Sequence, residues 1–426
     1  MNDRSLDQWL DYISSIRPKE ANLGLDKIRP IYKKIINFPL ASKIVVVGGT
    51  NGKGSTVEFL TQLLMLNNKS VGTFTSPHIF KFNERIRVNG KPVADNEIID
   101  AFQLIEVNRG SSKLTYFDFS TLAALRIFNR LNLDVIILEI GLGGRLDPVN
   151  IVDSDIGVLT NVELDHQEWL GKDKEAIGKE KAAIFRSNKT VILGQHEMPK
   201  TVLNKTLRLQ NKVLKVGRDF EYSVNDSLKE WAYTFNSDQQ ISLKKLKLGS
   251  LSVSSLSCAL TAYIALGNKL DLNINAVLDR THLRGRCELI DGRFLLDVSH
   301  NASSAEYLNA FIQRNFSKEI KITAVLGVME DKDVNSIIKP FAEKVDKWFL
   351  TSPNLQRSMR TDELKAHLKL LGDLNSEVRI SEIDNVKQAC LQAHQETSKV
   401  GLILVFGSFY TVSEAFLAIN PLSSVA

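Results

Sequence analysis

Short, nearly continuous apolar runs alternate along the chain with segments whose apolar residues recur at helical spacing. The runs Ile44–Val47, Val71–Thr75, Val135–Ile140, Ile156–Val162 and Thr190–Leu193 are rich in β-branched residues. Apolarity that is continuous over so short a length predicts strands buried on both faces, as in a parallel sheet. Between them, Ser55–Leu66 and Thr121–Leu131 carry the spacing of amphipathic helices. The alternation predicts a doubly wound α/β fold. From Asp219 to Leu246 the chain turns polar, with short possible strands, and Leu256–Leu266 reads as a helix of small residues. A second α/β series follows Gly285, with strands expected at Phe294–Val298, Ile322–Leu326, Trp348–Thr351 and Leu402–Phe406.

A chain of 426 residues exceeds what one hydrophobic core usually covers, so two domains are expected. The boundary falls near HLRGR, His282–Arg286, which divides the chain into 1–285 and a smaller 286–426. No run of about eighteen apolar residues occurs, so no membrane span is expected. The first twenty or so residues are acidic early and lack an apolar stretch, so they do not read as a signal peptide. The three cysteines, Cys258, Cys287 and Cys390, are far apart and odd in number, which suggests a reducing compartment without a disulfide framework or zinc site. A net charge of +5 with interspersed signs is too mild to argue for nucleic acid.

The segment VVVGGTNGKGST, Val45–Thr56, changes the picture. An apolar strand leads into Gly48, Gly49, Gly52 and Gly54 and then into an amphipathic helix. Glycines let backbone N–H groups wrap anionic oxygens, and the helix N-terminus adds partial positive charge. Gly49, Thr50, Asn51, Gly52, Lys53, Gly54 and Ser55 are therefore expected to bind a nucleotide. Lys53 would reach its terminal phosphates, and Ser55 or Thr56 could ligate Mg²⁺. The strict phosphate-loop pattern has Ser or Thr directly after Gly-Lys, whereas here Gly54 intervenes. That argues against an ordinary kinase or GTPase loop. The blander reading is a plain strand–helix turn.

Further motifs share an order and spacing. GTNGKGS (Gly49–Ser55), TSPHIFKFNERIRVNG (Thr75–Gly90), LEIGLGGRLD (Leu138–Asp147), LDHQEWLG (Leu164–Gly171), IGKEKAAIFR (Ile177–Arg186), LLDVSHN (Leu295–Asn301) and VFGSFYTV (Val405–Val412) resemble the folylpolyglutamate synthases of the Mur ligase superfamily. NLGL (Asn22–Leu25) and LTYFD (Leu114–Asp118) are similar to the bifunctional bacterial dihydrofolate synthase/folylpolyglutamate synthase branch. The resemblance runs from about residue 7 to 415. It implies an N-terminal phosphate-loop ATPase domain with a mostly parallel sheet, followed by a smaller Rossmann-like α/β domain. The implied activity is ATP-dependent ligation of L-glutamate to dihydropteroate and to the γ-carboxyl of reduced folates. An acyl phosphate would be the intermediate, with ADP and phosphate released. The resemblance also implies two Mg²⁺ ions, with Mn²⁺ as an alternative, a monomer, and a cytoplasmic setting.

Each candidate has a reading from the residues and one from the resemblance. Glu139 closes the apolar run VIIL at a strand's carboxyl edge, where ligand sites of open α/β sheets lie. Its carboxylate suits a hard cation, and the matching family residue bridges metals. Ser76 and His166 alone read as a turn serine and a structural histidine. The resemblance makes both metal ligands. In Ile177–Phe185, read as a helix, Ile177, Lys181, Ile184 and Phe185 share one face while Lys179 does not. Burial there would lower the Lys181 pKa and favour a neutral amine. The matching family lysine is carbamylated, which would turn a cation into a carboxylate-like ligand. Asn22, Leu23, Gly24 and Leu25, together with Thr115, Tyr116, Phe117 and Asp118, match segments that contact pteroate. Taken alone, Asp118 reads as a helix N-cap. Leu146, Asp147 and Pro148 match a third pteroate segment, in which Asp147-Pro148-Val149-Asn150 departs from the family's Asp-Ala-Thr-Asn. Arg286 and Asp297 match ATP contacts, and His300 a glutamate contact. Arg85 is a further candidate for the glutamate carboxylate through a charge-assisted bond. The family's adenine-contacting Asn is replaced near Ser257, where no contact is assigned.

Two other functions compete. A cell-wall Mur ligase carries a nucleotide-sugar domain before its phosphate loop, and the 47 residues ahead of Gly48 are expected to be too few for one. A regulator that binds nucleotide without catalysis would not need Lys53, Ser76, Glu139, His166 and Lys181 together.

Overall fold

The computed structural model describes residues 4–16, 24–36, 40, 43–238, 240–371 and 378–423; Asn22 and Leu23 lie outside them. Two compact units follow one another along the chain, Met1–His282 and Leu283–Ala426. The break falls within the HLRGR stretch, just ahead of the expected 285/286 junction.

In the first unit, one eight-stranded sheet is built from β1 (Lys43–Gly48), β2 (Val71–Phe74), β3 (Ile86–Val88), β4 (Lys91–Pro92), β5 (Val135–Glu139), β6 (Ile156–Leu159), β7 (Thr190–Leu193) and β8 (Lys212–Lys215). The strand order is β4-β3-β2-β5-β1-β6-β7-β8. From β2 to β8 in this order every pairing is parallel. β3 and β4 add an antiparallel edge. β1 therefore lies between β5 and β6, and three strand ends open onto one crevice. The phosphate loop follows β1, Glu139 ends β5, and Thr160 and Asn161 follow β6. The central strands are buried throughout, which is why they read as unbroken apolar runs.

The helix after β1 spans Lys53–Leu66 and is buried over most of its length. A second helix, Tyr116–Asn129, begins earlier than the apolar spacing suggested. Its N-cap is Thr115, not Asp118. The Thr115 hydroxyl accepts from the Asp118 N–H at 3.1 Å, and the Asp118 carboxylate accepts the Thr115 N–H at 2.7 Å. This reciprocal box places Asp118 one turn inside the helix. The helix Lys174–Lys181 is also shorter than expected, because a 3₁₀ turn, Ala182–Ile184, takes over directly after Lys181. Ile184 and Phe185 thus do not prolong the stripe of that α-helix. All the same, Ile177, Lys181, Ile184 and Phe185 are buried, and Lys179 is exposed.

The polar segment forms a three-stranded antiparallel sheet, β9 (Phe220–Asn225), β10 (Glu230–Asn236) and β11 (Gln240–Lys247). It packs on the small-residue helix Val253–Ala265, where the Tyr233 hydroxyl meets Thr261 Oγ1 at 2.9 Å.

The second unit has its own six-stranded sheet: β12 (Glu288–Ile290), β13 (Phe294–Asp297), β14 (Ile322–Leu326), β15 (Val345–Thr351), β16 (Arg379–Ile383) and β17 (Leu402–Phe406), ordered β12-β13-β17-β14-β15-β16. All its pairings are parallel except that of β12. Its core gathers Phe341, Trp348 and Phe406, with ring centroids 4.8 and 6.3 Å from Phe406. No helix among the described residues is long and apolar enough to cross a membrane. The three cysteines are buried and unbridged.

The phosphate-loop helix is tied to β3 by a buried ion pair. Arg87 Nη1 lies 2.7 Å from Glu58 Oε2, with the two side chains 15% and 4% exposed. Gln62 Nε2 donates to the other carboxylate oxygen at 2.8 Å. Removing one partner strands a charge in a low-dielectric interior. Arg87→Met is therefore expected to cost about 3 kcal/mol, read as a lower urea midpoint at unchanged slope. Glu58→Leu in the same chain should return more than half of that loss. An unchanged midpoint in Arg87→Met would show that the pair carries no weight.

Candidate active site

The phosphate loop packs against Thr160 and Asn161, just beyond β6, and against Ser255. Gly49 has φ +149, and a Cβ there would sit 1.8 Å from Thr160 Oγ1. Gly52 adopts φ +80 as the helix N-cap, and a Cβ there would lie 2.3 Å from the Ser255 hydroxyl. Both positions require glycine for conformation and for space. Asn161 Oδ1 accepts the Thr50 and Asn51 N–H groups at 3.1 and 2.9 Å, while Thr160 Oγ1 donates to Asn51 O at 2.6 Å. In the first helical turn the two hydroxyls differ. Thr56 Oγ1 donates to Gly52 O at 2.9 Å and lies 3.2 Å from Ser255 O, so Ser55 is the first-turn hydroxyl that matches the expected ligand.

Two lysines converge on this loop. Lys53 Nζ donates to Gly49 O and Thr50 O, both at 3.1 Å. Lys181 Nζ reaches the same Gly49 O at 3.0 Å from the end of its own helix. Burial, followed by the Lys53 cation, brings the Lys181 amine down to about 7, against a smaller upward pull from Asp165 and Asp147. Asp165 precedes His166, which sits in the left-handed region at φ +49 and heads the short helix Gln167–Leu170. The His166 ring lies 3.9 Å from the Asp165 carboxylate.

Glu139 is paired in register with Val47, one residue before the loop's strand ends, and is 5% exposed. Its Oε2 accepts the Ser76 N–H at 3.1 Å, which brings two of the expected ligands together. A buried carboxylate at a sheet's carboxyl edge needs a compensating charge. Among the described residues no three His, Cys, Asp or Glu side chains gather as a ready-made cage. The expected ligand set, Ser55, Ser76, Glu139, His166 and Lys181, contains two such side chains. It fits a hard ion that takes one or two carboxylates and completes its shell with substrate phosphates.

Of the described residues expected to meet pteroate, Asp147 is close enough to Lys181 to act on its charge. Asp147 is buried and caps a 3₁₀ turn, Pro148–Ile151, with Pro148 in its first position. Its carboxylate accepts the Leu142 and Val149 N–H groups, each at 2.9 Å. Burial raises its pKa to about 7 against those bonds, with Asp118 adding a smaller push upward. The departure at Pro148 is therefore accommodated as a pre-set first residue of the turn. Asp118 is paired with Lys27 Nζ at 2.6 Å, and the two side chains are 2% and 12% exposed. Thr115, Tyr116, Phe117 and Leu146 are half-buried, and Phe117 stacks obliquely on Phe74 with centroids 5.7 Å apart. Gly24 has φ +142, and the Leu25 carbonyl accepts from Ile28 and Arg29 at the start of the next helix.

Arg85 donates through Nε to His78 Nδ1 at 2.8 Å. In the second unit, Arg286 lies over the Phe409 ring at 4.9 Å, and the His300 ring lies 6.0 Å from the same ring. Asp297 is buried and accepts the Cys287 and Ser299 N–H groups, each at 2.8 Å.

Sequence reasoning missed Lys27, His78, Thr160, Asn161 and Ser255. Thr160 and Asn161 had a usable signal, being polar residues at the carboxyl end of a buried strand. Ser255 had none, since small residues fill that whole helix. In the small-residue helix it is Ser255 that lies against the loop, beside Gly52 and Thr56. Ser257 donates to Val253 O in its own helix and is fully buried.

Comparison with known proteins identifies the family. The family model described as Mur ligase middle domain matches residues 47–260, and that described as Mur ligase, glutamate ligase domain matches 285–409. The dihydrofolate synthase/folylpolyglutamate synthase of Escherichia coli (strain K12) is 36% identical over 420 residues, which cover 97% of this chain and 96% of the relative. The structure of E. coli FolC in complex with DHPP and ADP matches with a TM-score of 0.92 at 34% identity, covering 99% of each chain. The bifunctional folylpolyglutamate synthase/dihydrofolate synthase from Yersinia pestis, complexed with AMPPNP and Mn ion, matches with a TM-score of 0.88 at 32% identity over 98% of each chain. The chain belongs to the Mur ligases, in the dihydrofolate synthase/folylpolyglutamate synthase branch of these carbon–nitrogen ligases.

Proposed function

We propose that this chain uses ATP to join L-glutamate to dihydropteroate and to the γ-carboxyl of reduced folates. One observation carries the reading: two lysine amines converge on the Gly49 carbonyl of a phosphate loop, and the strand next to the one leading into that loop ends in the buried Glu139. Nucleotide, metal, pterin compound and glutamate-ligase domain each appear in the descriptions of the relatives, which supports the same assignment.

In the first step a substrate carboxylate oxygen attacks the γ-phosphorus of ATP. The bond to the β,γ-bridging oxygen breaks, ADP leaves, and an acyl phosphate forms. In the second, the neutral amine of glutamate attacks the acyl carbon, phosphate leaves, and the amine loses its proton as the amide forms. Gly49–Ser55 cradle the phosphates through backbone N–H groups, and Lys53 places its charge on the oxygens that gain negative charge. Mg²⁺, two ions with Mn²⁺ as a substitute, would be held by Ser55, Ser76, Glu139, His166 and Lys181, and would neutralise the phosphate oxygens. Lys181 serves as the carbamate. Its buried amine is lowered to about 7, and the neutral form adds to CO₂ with loss of one proton. Asp118 and Asp147, with Gly24, Leu25, Thr115–Phe117, Leu146 and Pro148, bound the pteroate; Asn22 and Leu23 join them by family correspondence. Arg85 and His300 bind glutamate, and Arg286 and Asp297 bind ATP. The first unit would bind ATP and pteroate, and the second would contribute glutamate and ATP contacts. The unbridged cysteines agree with a cytoplasmic setting, and the monomer rests on the resemblance alone.

The deciding experiment measures ADP release with dihydropteroate plus glutamate, and separately with tetrahydrofolate plus glutamate. Turnover with both is expected, and turnover with neither would overturn the proposal. Lys53→Ala should abolish both while the protein stays folded by circular dichroism. Glu139→Gln should slow turnover on the order of a hundredfold, and excess Mg²⁺ should restore only part of it. An unchanged rate and Mg²⁺ dependence in Glu139→Gln would remove that residue from the metal site.

Lys181 gives a separate prediction. Lys181→Ala should lose at least about a hundredfold in rate, and a short carboxylic acid in solution should restore part of it by supplying the missing oxygens. Lys179→Ala, at an exposed position on the same helix, should stay within about twofold of wild type. A crystallographic map of the nucleotide–metal complex showing an unmodified Lys181 would refute the carbamate.

A further inference from the structure

The loop between β2 and β3 is braced by one of its own carboxylates. The Glu84 carboxylate accepts three successive backbone N–H groups: Ile79 at 2.7 Å, Phe80 at 2.9 Å and Lys81 at 2.7 Å. The loop is closed at its base by the Thr75 N–H, which donates to Arg85 O at 2.9 Å. Within this frame His78, Phe82 and Tyr116 all touch on the Arg85 guanidinium. Nε donates to His78 Nδ1 at 2.8 Å. The guanidinium carbon lies 5.8 Å from the Phe82 ring centre and 5.5 Å from that of Tyr116. The Phe82 and Tyr116 rings meet edge to face at 5.8 Å, which makes them two walls of one slot. Ring faces bound a guanidinium without directing it along their plane. A hydrogen bond to Nε does direct it, because the fork of the remaining N–H groups is rigid relative to Nε.

We propose that His78 is a positioning residue for glutamate binding: its Nδ1 acceptor sets the direction in which the Arg85 fork meets the glutamate carboxylate. Tyr116 belongs to the same helix turn as Phe117 and Asp118, and so the slot joins the segment assigned to pteroate to the residue assigned to glutamate. That adjacency is what amide formation between the two substrates requires. The inference deepens the proposed function and rests on its assignment of glutamate to Arg85. Bidentate recognition of a carboxylate depends on angle as well as on charge. Losing the His78 acceptor should therefore weaken glutamate binding while leaving the nucleotide site as it was.

The test compares Arg85→Ala, His78→Leu and His78→Asn in the full chain, reading KM for glutamate, KM for ATP and kcat. The Asn side-chain oxygen takes up a place close to that of imidazole Nδ1, so it can accept the same bond. His78→Leu should raise the glutamate KM by on the order of three- to tenfold, the weight of one hydrogen bond, with KM for ATP and kcat within about twofold. Arg85→Ala should raise the glutamate KM further, and His78→Asn should recover most of the loss. If Arg85→Ala leaves the glutamate KM unchanged, the assignment of glutamate to Arg85 falls and this inference falls with it. If Arg85→Ala raises it but His78→Leu does not, or if His78→Asn is as impaired as His78→Leu, only the positioning role is overturned. A KM for ATP that rises in His78→Leu as much as that for glutamate would reduce His78 to a packing residue of the loop.

Discussion

Two lysine amines share one backbone carbonyl, Gly49 O, and the remainder of the site is arranged around that crowding. A single carbonyl cannot satisfy two ammonium groups in a buried setting, and the like charges weaken one another. At Lys181, burial first and the Lys53 cation second bring the amine's pKa down to about 7. The arrangement is poised for anions: a phosphate would draw Lys53 off the loop's own carbonyls, and a carbamate would reverse the charge of Lys181. The close approach of Gly49 to Thr160 makes this possible, since a side chain at position 49 would force the loop away from β6.

The electrostatic neighbourhood continues away from the loop. Asp165 and Asp147 both pull on Lys181. Asp147 in turn feels Asp118, and Asp118 is closed off by Lys27. A series of coupled charges, with two carboxylates side by side between the lysines at its ends, thus runs from the phosphate loop to the segment assigned to pteroate. Replacing any one of them changes the field at the next, so substitutions at Asp118 or Asp147 would act on Lys181 as well as on substrate. Roles assigned from single variants in this region are for that reason coupled rather than separable.

Much of the fold was legible because the central strands of both sheets are covered on two faces and carry no polar alternation. β3, β4, β8, β12 and β16 were not read. They lie at or near sheet edges, where half-exposed positions admit Lys, Arg and Glu and blur the pattern. The site divided in a similar way. Glu139 stood out as a carboxylate closing an apolar run, and Lys181 as a cation among apolar neighbours. Thr160, Asn161 and His78 act through hydrogen bonds to backbone or to another side chain, across separations no local spacing reports. Asp118 misled because its short polar side chain near a helix start suits a cap, whereas a threonine three residues earlier had already taken that place.

The intervening Gly54 now has a physical account. The helix begins at Lys53, directly after Gly52, and each further residue turns about 100° around its axis. With one glycine inserted after the lysine, the hydroxyl residues are carried one step around the helix from where the strict pattern would present them. Thr56 turns onto Gly52 O and Ser255 O and becomes structural. That leaves Ser55 as the hydroxyl closest in sequence to the loop. The same contact draws the helix Val253–Ala265 against the loop, where the Ser255 hydroxyl occupies the space a Cβ at position 52 would need. Gly52 and the small-residue helix are thus two halves of one packing contact, which sets the phosphate loop against the Ser255 side chain. Lys181 reaches the Gly49 carbonyl of the same loop from a different helix.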